Sequence, residues 1–169
     1  ATAFVWTLNY MFIAFGLGLG VGATSLISQY LGAKQDLKVR LYSANALILS
    51  IVLGFFLATI GYFSSETMIS WMGAEGVLLE KSTIYLKVSF IGLFFDFIFF
   101  AYQAILTAQG MTKSITLVSV ISSLTNVILD PIFIFDKVPL FKFPGLGLGL
   151  SGAAWATIIS KIVLLICTF

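Results

Sequence analysis

The chain has 169 residues, of which 60% are hydrophobic and only 9% are charged, and its mean hydropathy is +1.09. A water-soluble domain usually carries about 25% charged residues, so this composition predicts an integral membrane protein. The net charge of +2 is too small to indicate a nucleic-acid partner, and a single cysteine with no histidine excludes a disulfide framework and disfavours a zinc or haem site.

Five segments are long and apolar enough to cross a hydrocarbon core, which takes about 20 helical residues. In chain order they are Val5–Leu31, Leu41–Phe63, Thr83–Leu106, Ile115–Phe135 and Gly149–Phe169. None shows the alternating polarity over about ten residues that the strands of a membrane barrel require. The sequence therefore predicts an all-α, multi-pass protein of the cell membrane. Because the chain opens without Met and stops inside an apolar run, we expect it to be a piece of a longer protein.

The first segment contains the glycine-rich stretch GLGLGVGATS, from Gly16 to Ser25. It holds two overlapping pairs of small residues four positions apart, Gly16 with Gly20 and Gly18 with Gly22. A nucleotide-binding glycine loop would need a preceding strand and a βαβ unit, which this sequence does not offer. The pairs instead predict close helix packing in the membrane, and so many glycines also permit the helix to bend.

Cations between the segments suggest an orientation. The first connection carries Lys34, Lys38 and Arg40, and the third carries Lys113. The second and fourth connections carry three cations in total, namely Lys81, Lys137 and Lys142. Because cytoplasmic loops are enriched in Lys and Arg, we expect the first loop to lie inside the cell.

Two carboxylates and one cation lie deep inside the predicted segments: Asp96, Asp130 and Lys161. Ionisable residues in a membrane helix are rare and mark functional sites by default. Asp96 lies about 15 Å from the inner end of its helix and Lys161 about 12 Å from Phe169, at 1.5 Å per residue. These depths allow an Asp96–Lys161 ion pair; the alternative is that each residue faces a water-filled cavity alone.

Asp130 lies close in sequence to a second polar residue and to a proline. Asn126 lies four residues earlier, on the same helix face. Pro131 follows directly, and its ring should bend the helix and free the carbonyl of Val127. Such a cluster of oxygens in an apolar setting suits binding of a proton or a cation in ion-coupled transport. The alternative is that Asp130 ends the helix at the interface while Asn126 packs against a neighbour.

Thr157 in the fifth segment matches this cluster in depth. It lies about 12 Å from the outer surface, between Asp130 at about 8 Å and Asn126 at about 14 Å. A hydroxyl group from an adjacent antiparallel helix could therefore reach the pair. The alternative is that Thr157 bonds only the carbonyl four residues earlier in its own helix.

Four stretches now point to one family: GLGLGVGATSLISQYLGAK, AQGMTKS, TNVILDPIFIF and GLGLSGAAWATIIS, in this order. The chain resembles the multidrug and toxic compound extrusion (MATE) transporters along its whole length. The resemblance implies helices two to six of the first of two six-helix lobes, so that helix one and the second lobe are missing here. It also implies export of cationic, aromatic or amphipathic compounds in exchange for protons or sodium, by alternating access.

The resemblance assigns roles to particular residues. Asn126, Asp130 and Thr157 would belong to the cation-responsive site, which an acidic residue on the missing helix one would complete. Neutralising Asp130 would then let the bend at Pro131 change and remodel the drug cavity. Asp96 and Lys161 match no family motif, and the connection Asp136–Pro144 is longer than the compact turn expected there.

Other functions remain open from the sequence. A lipid-linked saccharide flippase would need several cations facing its cavity, whereas Lys161 is the cation found deep inside a segment. A channel or assembly subunit would not respond to an imposed ion gradient. An intramembrane enzyme would need a GxGD pair, a Ser–His dyad or an HExxH motif, none of which occurs, so we expect no enzyme, no cofactor beyond the coupling ion, and small organic compounds and membrane lipid as partners.

Overall fold

The structure is a computed structural model that describes residues 2–136 and 145–168. It contains five α-helices: α1 (Thr2–Gly32), α2 (Asp36–Trp71), α3 (Gly76–Ala108), α4 (Thr112–Ile134) and α5 (Gly149–Thr168). No strand occurs within these described ranges. The prediction of an all-α fold is therefore confirmed.

The lengths of the helices bear on how many cross the membrane. In the described part of the chain, α1 to α4 are each long and apolar enough to span it, whereas α5 contributes a shorter apolar segment, Ser151–Cys167. The whole of α5 has 20 residues, which corresponds to about 30 Å of helix. Helices long and apolar enough to cross the membrane thus occur at four of the five predicted segments, and the crossing by α5 stays a prediction.

The second connection is much shorter than the sequence suggested. α2 continues to Trp71 and α3 begins at Gly76, so these two helices extend beyond the predicted segment ends at Phe63 and Thr83. Polar residues after Phe63 lower the hydropathy without breaking the helix, and the Ser65 hydroxyl donates to the Gly61 carbonyl of the same helix at 2.6 Å. An apolar window locates the hydrocarbon core, and these two helices extend beyond that window.

α3 lies at the centre of the fold, packed against α1, α2 and α5. Its side chains Phe90 and Phe97 are fully buried and fit against glycines of α2. A Cβ atom at Gly54 would lie 2.8 Å from the Cβ of Phe97, and one at Gly61 would overlap the Phe90 ring. Glycine at these two positions lets α2 and α3 approach closely.

Of the two predicted glycine pairs in α1, only Gly16 and Gly20 pack against another helix in the described part of the chain. A Cβ atom at Gly16 would lie 2.6 Å from the Phe100 ring of α3, and one at Gly20 would lie 3.5 Å from the Phe100 carbonyl. Gly18 and Gly22 have no described atom within 4 Å of such a Cβ. Residues two apart differ by about 200° around a helix, so the two pairs cannot face the same neighbour.

α4 and α5 form a pair that joins the rest of the fold through α5. α4 packs chiefly on α5 and has little contact with α3, whereas α5 packs against both α3 and α4. The position of α4 relative to α1–α3 is therefore set mainly through α5. This arrangement places the polar residues of α3, α4 and α5 around one junction.

Candidate functional site

The start of α5 is tied to the end of α4 by backbone hydrogen bonds. Three N–H groups just before α5 donate to carbonyl groups at the end of α4 and just after it. The donors and acceptors are Leu146 and Ile132 at 2.8 Å, Leu148 and Phe133 at 2.9 Å, and Gly147 and Phe135 at 3.2 Å. A Cβ atom at Gly152 would overlap the Phe133 carbonyl, so glycine allows the close approach. These bonds fix the depth at which α5 begins. Residues 137–144, most of the connection expected to be long, lie outside the described residues.

Pro131 lies in the last turn of α4, which continues to Ile134. Its carbonyl accepts from the Phe135 N–H at 3.3 Å. The residues that follow Pro131 are bonded to the start of α5, so any change of bend at the proline would also move α5. The bend and its change stay predictions.

Asn126 and Thr157 meet across the interface of α4 and α5. The Asn126 Nδ2 atom donates to the Thr157 Oγ1 atom at 3.5 Å. The same hydroxyl donates to the Ala153 carbonyl at 2.9 Å. One hydroxyl can accept one hydrogen bond while it donates another, so Thr157 contacts Asn126 and also bonds its own helix. Its place in a cation site with Asp130 stays a prediction.

Asp130 is half-buried in α4, one turn beyond Asn126. Its Oδ1 atom is buried and has no hydrogen-bond partner among the described residues. Because α4 continues past it to Ile134, Asp130 does not end the helix.

Asp96 and Lys161 form an ion pair between α3 and α5. The Lys161 Nζ atom lies 2.7 Å from the Asp96 Oδ2 atom, and the two side chains are 26% and 17% exposed. The alternative in which each residue faces a cavity alone is therefore wrong. A Cβ atom at Gly92 would lie 3.3 Å from the Lys161 nitrogen, so glycine there gives the lysine room.

Residues from both predicted clusters line one cavity, although Asp130 is not among its lining residues. A cavity of about 400 Å³ between α3, α4 and α5 is lined by Asp96, Lys161, Asn126 and Thr157 together with phenylalanine and serine side chains. Thr157 and Lys161 also line a second cavity, of about 250 Å³, between α1, α3 and α5. These two residues of α5 therefore stand in the wall between the cavities.

Two serines at the interface of α4 and α5 were not predicted from the sequence. The buried Ser122 hydroxyl donates to the Ser160 carbonyl at 2.8 Å, and the Ser160 hydroxyl donates to the Thr157 carbonyl at 2.8 Å. Ser122 lies one turn before Asn126 and two turns before Asp130. Extending that helix face by one turn would have found it.

Asn9 of α1 was also missed. It lines the second cavity together with Tyr85 and Ser89, and its Oδ1 atom is buried without a hydrogen-bond partner among the described residues. An amide inside an apolar span was the available signal, the same one that singled out Asn126. Tyr85 carried no such signal, because aromatic residues are common in membrane helices.

Asp130, Asn126 and Thr157 carry carboxylate, amide and hydroxyl oxygens, which are the kinds of group that bind a proton or a hard monovalent cation. Across residues 2–136 and 145–168, no three His, Cys, Asp or Glu side chains converge as a metal-binding group. A cation bound here would use the Asp130 carboxylate with amide and hydroxyl oxygens, such as those of Asn126 and Thr157. The tied end of α4 and the start of α5 hold these groups at similar depth.

Comparisons with known proteins agree with this arrangement. The family model MatE matches residues 1–132. The multidrug export protein MepA of Staphylococcus haemolyticus (strain JCSC1435) is 35% identical over 152 residues, covering 89% of this chain and 31% of that protein. This chain therefore spans about a third of the length of such relatives.

Solved structures give the same result. A multidrug resistance MATE family transporter of the MOP superfamily in an inward-facing conformation has a TM-score of 0.84 and 31% identity, covering 93% of this chain and 34% of that chain. An outward-facing conformation has a TM-score of 0.87 and 29% identity, covering 98% of this chain and 35% of that chain. The same helical arrangement thus occurs in both transport states.

Proposed function

The chain belongs to the MATE family, and from this premise we propose that the protein containing it exports small organic compounds across the cell membrane in exchange for protons or sodium ions. A relative named for multidrug export supports the direction and the substrate class. Four helices long and apolar enough to span the membrane support a multi-pass location. A second lobe of the same polypeptide would complete the transport path.

Alternating access is the mode of transport that we propose. The described helices resemble both an inward-facing and an outward-facing transporter. Alternating access largely moves one repeat or bundle against another around a fixed site. A bundle that keeps its arrangement in both states supports motion of this kind.

The observation that carries ion coupling is the buried Oδ1 atom of Asp130, which lacks a hydrogen-bond partner among the described residues. An unpaired carboxylate in an apolar setting is costly, and a bound proton or cation removes that cost. Asn126 already donates its amide hydrogen to Thr157, so its carbonyl oxygen is left to accept from a protonated carboxyl or to contact a cation. The three residues would form the coupling site.

Neutralisation of Asp130 would then be transmitted through the end of α4. The residues after Pro131 bond to the chain that begins α5. A change of bend at Pro131 would therefore shift Thr157 and the cavity that Thr157 lines. In this way occupancy of the coupling site would alter the affinity for the exported compound.

The test is Asp130→Asn in the full-length protein, measured as efflux of ethidium from vesicles under an imposed proton or sodium gradient. We expect gradient-driven efflux to collapse, because asparagine cannot bind a proton or balance a cation's charge. Asp136→Asn is the matched control, since Asp136 is exposed beyond the end of the same helix. Unimpaired efflux in Asp130→Asn would contradict the proposal, and comparing the two gradients identifies the ion.

A flippase for lipid-linked saccharides fits less well. Its diphosphate group would need free cations in the cavity, whereas Lys161 is paired with Asp96 at 2.7 Å. Lys87 of α3, which the sequence reasoning overlooked, lies 5.7 Å from the centre of the Tyr62 ring. A passive channel is separated from an antiporter by the gradient experiment, because its flux would not depend on the exchanged ion.

A further inference from the structure

The cavity between α3, α4 and α5 has one aromatic wall. Phe95, Phe99 and Phe100 of α3 line it, and Asp96 lies on the same helix beside them. We call this space the aromatic cavity. Its volume of about 400 Å³ lies in the range of pockets that hold drug-sized ligands.

Phenyl rings beside a carboxylate are the groups that recognise an organic cation. The negative face of an aromatic ring attracts a cation within about 6 Å, and the attraction strengthens when water is excluded. Asp96 supplies a full negative charge at the edge of this wall, and its side chain is 17% exposed. It can therefore be reached from the cavity.

The Asp96 carboxylate is already paired with a cation of the chain itself, the ammonium group of Lys161. The Lys161 ammonium group lies 2.7 Å from the carboxylate and its side chain is 26% exposed. An incoming cation must therefore displace this ammonium group.

The second cavity is where the displaced Lys161 side chain can go. Lys161 also lines the second cavity, where Asn9 has a buried Oδ1 atom without a hydrogen-bond partner among the described residues. The absence of a side chain at Gly92 leaves room beside the lysine nitrogen. A lysine has a long, flexible stem with several rotatable bonds, so its head can change partners without moving α5.

We propose that Asp96 binds the charged nitrogen of an aromatic organic cation in the aromatic cavity, and that Lys161 is the tethered ammonium that occupies this site until the cation displaces it toward Asn9. The proposal rests on the proposed export of organic compounds and names a site for them. Its residues, Asp96 and Lys161, differ from those of the proposed coupling site, although Thr157 lines the same cavity.

The test is equilibrium binding of ethidium to the purified full-length protein, followed by fluorescence and normalised to folded protein. Lys161→Met removes the competitor, so we expect tighter binding, by about tenfold if Lys161 holds Asp96 nine-tenths of the time. Asp96→Asn should weaken binding, and Asp96→Asn/Lys161→Met should lose the gain. Lys87→Met is the matched control, because Lys87 contacts Tyr62 instead, and its affinity should match the wild type.

The direction of the Lys161→Met effect decides the proposal. If the ion pair only held α3 to α5, this variant would bind ethidium no more tightly than the wild type, and the proposal would be overturned. Absence of ethidium binding to the wild type would also overturn it. If Lys161→Met does not fold, Lys161→Arg is tested in its place. A guanidinium group can donate two hydrogen bonds to a carboxylate, so this variant should hold Asp96 more tightly and ethidium should bind more weakly. Unchanged or tighter binding in Lys161→Arg would contradict the proposal.

Asp130→Asn separates this proposal from ion coupling. Ethidium affinity at equilibrium should respond to Lys161→Met in the Asp130→Asn background as it does in the wild type. If efflux collapses in Asp130→Asn while Lys161→Met fails to tighten binding, only the Asp96 site is wrong. If Lys161→Met tightens binding while Asp130→Asn transports normally, only the coupling site is wrong.

Discussion

The carboxylate of Asp96 on α3 accepts a hydrogen bond of 2.7 Å from the ammonium group of Lys161 on α5, across 65 residues of sequence. α5 is the helix through which α4 joins the rest of the fold. The ion pair therefore lies at the junction of the two parts of the structure. It also lines the same cavity as Asn126 and Thr157.

Removing one partner of this pair should destabilise the protein more than removing both. Asp96→Asn and Lys161→Met each leave an uncompensated charge in a largely buried setting, which costs about 3–5 kcal/mol. The double variant leaves no charge, so its thermal stability in detergent should return close to the wild type. A double variant as unstable as the two single changes combined would show that the residues do not act as a pair.

The two glycine pairs of α1 should differ in their tolerance of alanine. Gly16→Ala places a methyl group 2.6 Å from the Phe100 ring, and such overpacking costs about 1–3 kcal/mol. Gly18→Ala is the control, because no described atom lies within 4 Å of its Cβ and alanine favours the helix by about 1 kcal/mol. The comparison is made by thermal unfolding in detergent, and equal stability of the two variants would contradict this packing.

Thr157 should act through its hydroxyl. In Thr157→Val the contact with Asn126 is lost, so we expect the ion concentration for half-maximal efflux to rise about threefold to tenfold, which corresponds to a free-energy loss of about 0.7–1.4 kcal/mol. Thr157→Ser keeps the hydroxyl and should resemble the wild type. Thr125→Val is the control, since that exposed hydroxyl bonds the carbonyl of Ile121 in its own helix. A normal ion response in Thr157→Val would remove Thr157 from the site.

Gly152 should be needed to place α5 against α4. The Cβ atom in Gly152→Ala would overlap the Phe133 carbonyl, and a backbone atom cannot turn away as a side chain can. We expect loss of stability by thermal unfolding and a weaker ion response in the efflux assay, because the start of α5 would move and take Thr157 with it. Gly22→Ala, which meets no described atom within 4 Å, should show neither effect.

Ser122 should contribute a buried hydrogen bond between α4 and α5. Ser122→Ala removes the donor to the Ser160 carbonyl at 2.8 Å, a loss that typically costs about 0.5–1.5 kcal/mol. Ser114→Ala, an exposed change at the start of the same helix, should have no measurable effect on thermal stability. Equal unfolding temperatures for the two variants would contradict a stabilising role for this bond.

Features that depend on local order along the chain could be predicted from the sequence. Apolar length predicted the helical segments, because the hydrocarbon core requires a fixed number of residues. The spacing of four residues placed Asn126 and Asp130 on one face, and the rise per residue put Thr157 at their depth. The sequence could not predict where α2 ends and α3 begins, because polar residues beyond the apolar window can still be helical.

Which helices are neighbours is known from the three-dimensional packing and not from the sequence. The packing paired Asp96 with Lys161, chose Gly16 and Gly20 over Gly18 and Gly22, and brought the ion pair into one cavity with Asn126. Matching depths are compatible with several arrangements of helices, so depth alone cannot choose among them. The choice comes from packing, because the rotation of each helix about its axis is set by the side chains that fit against its neighbours.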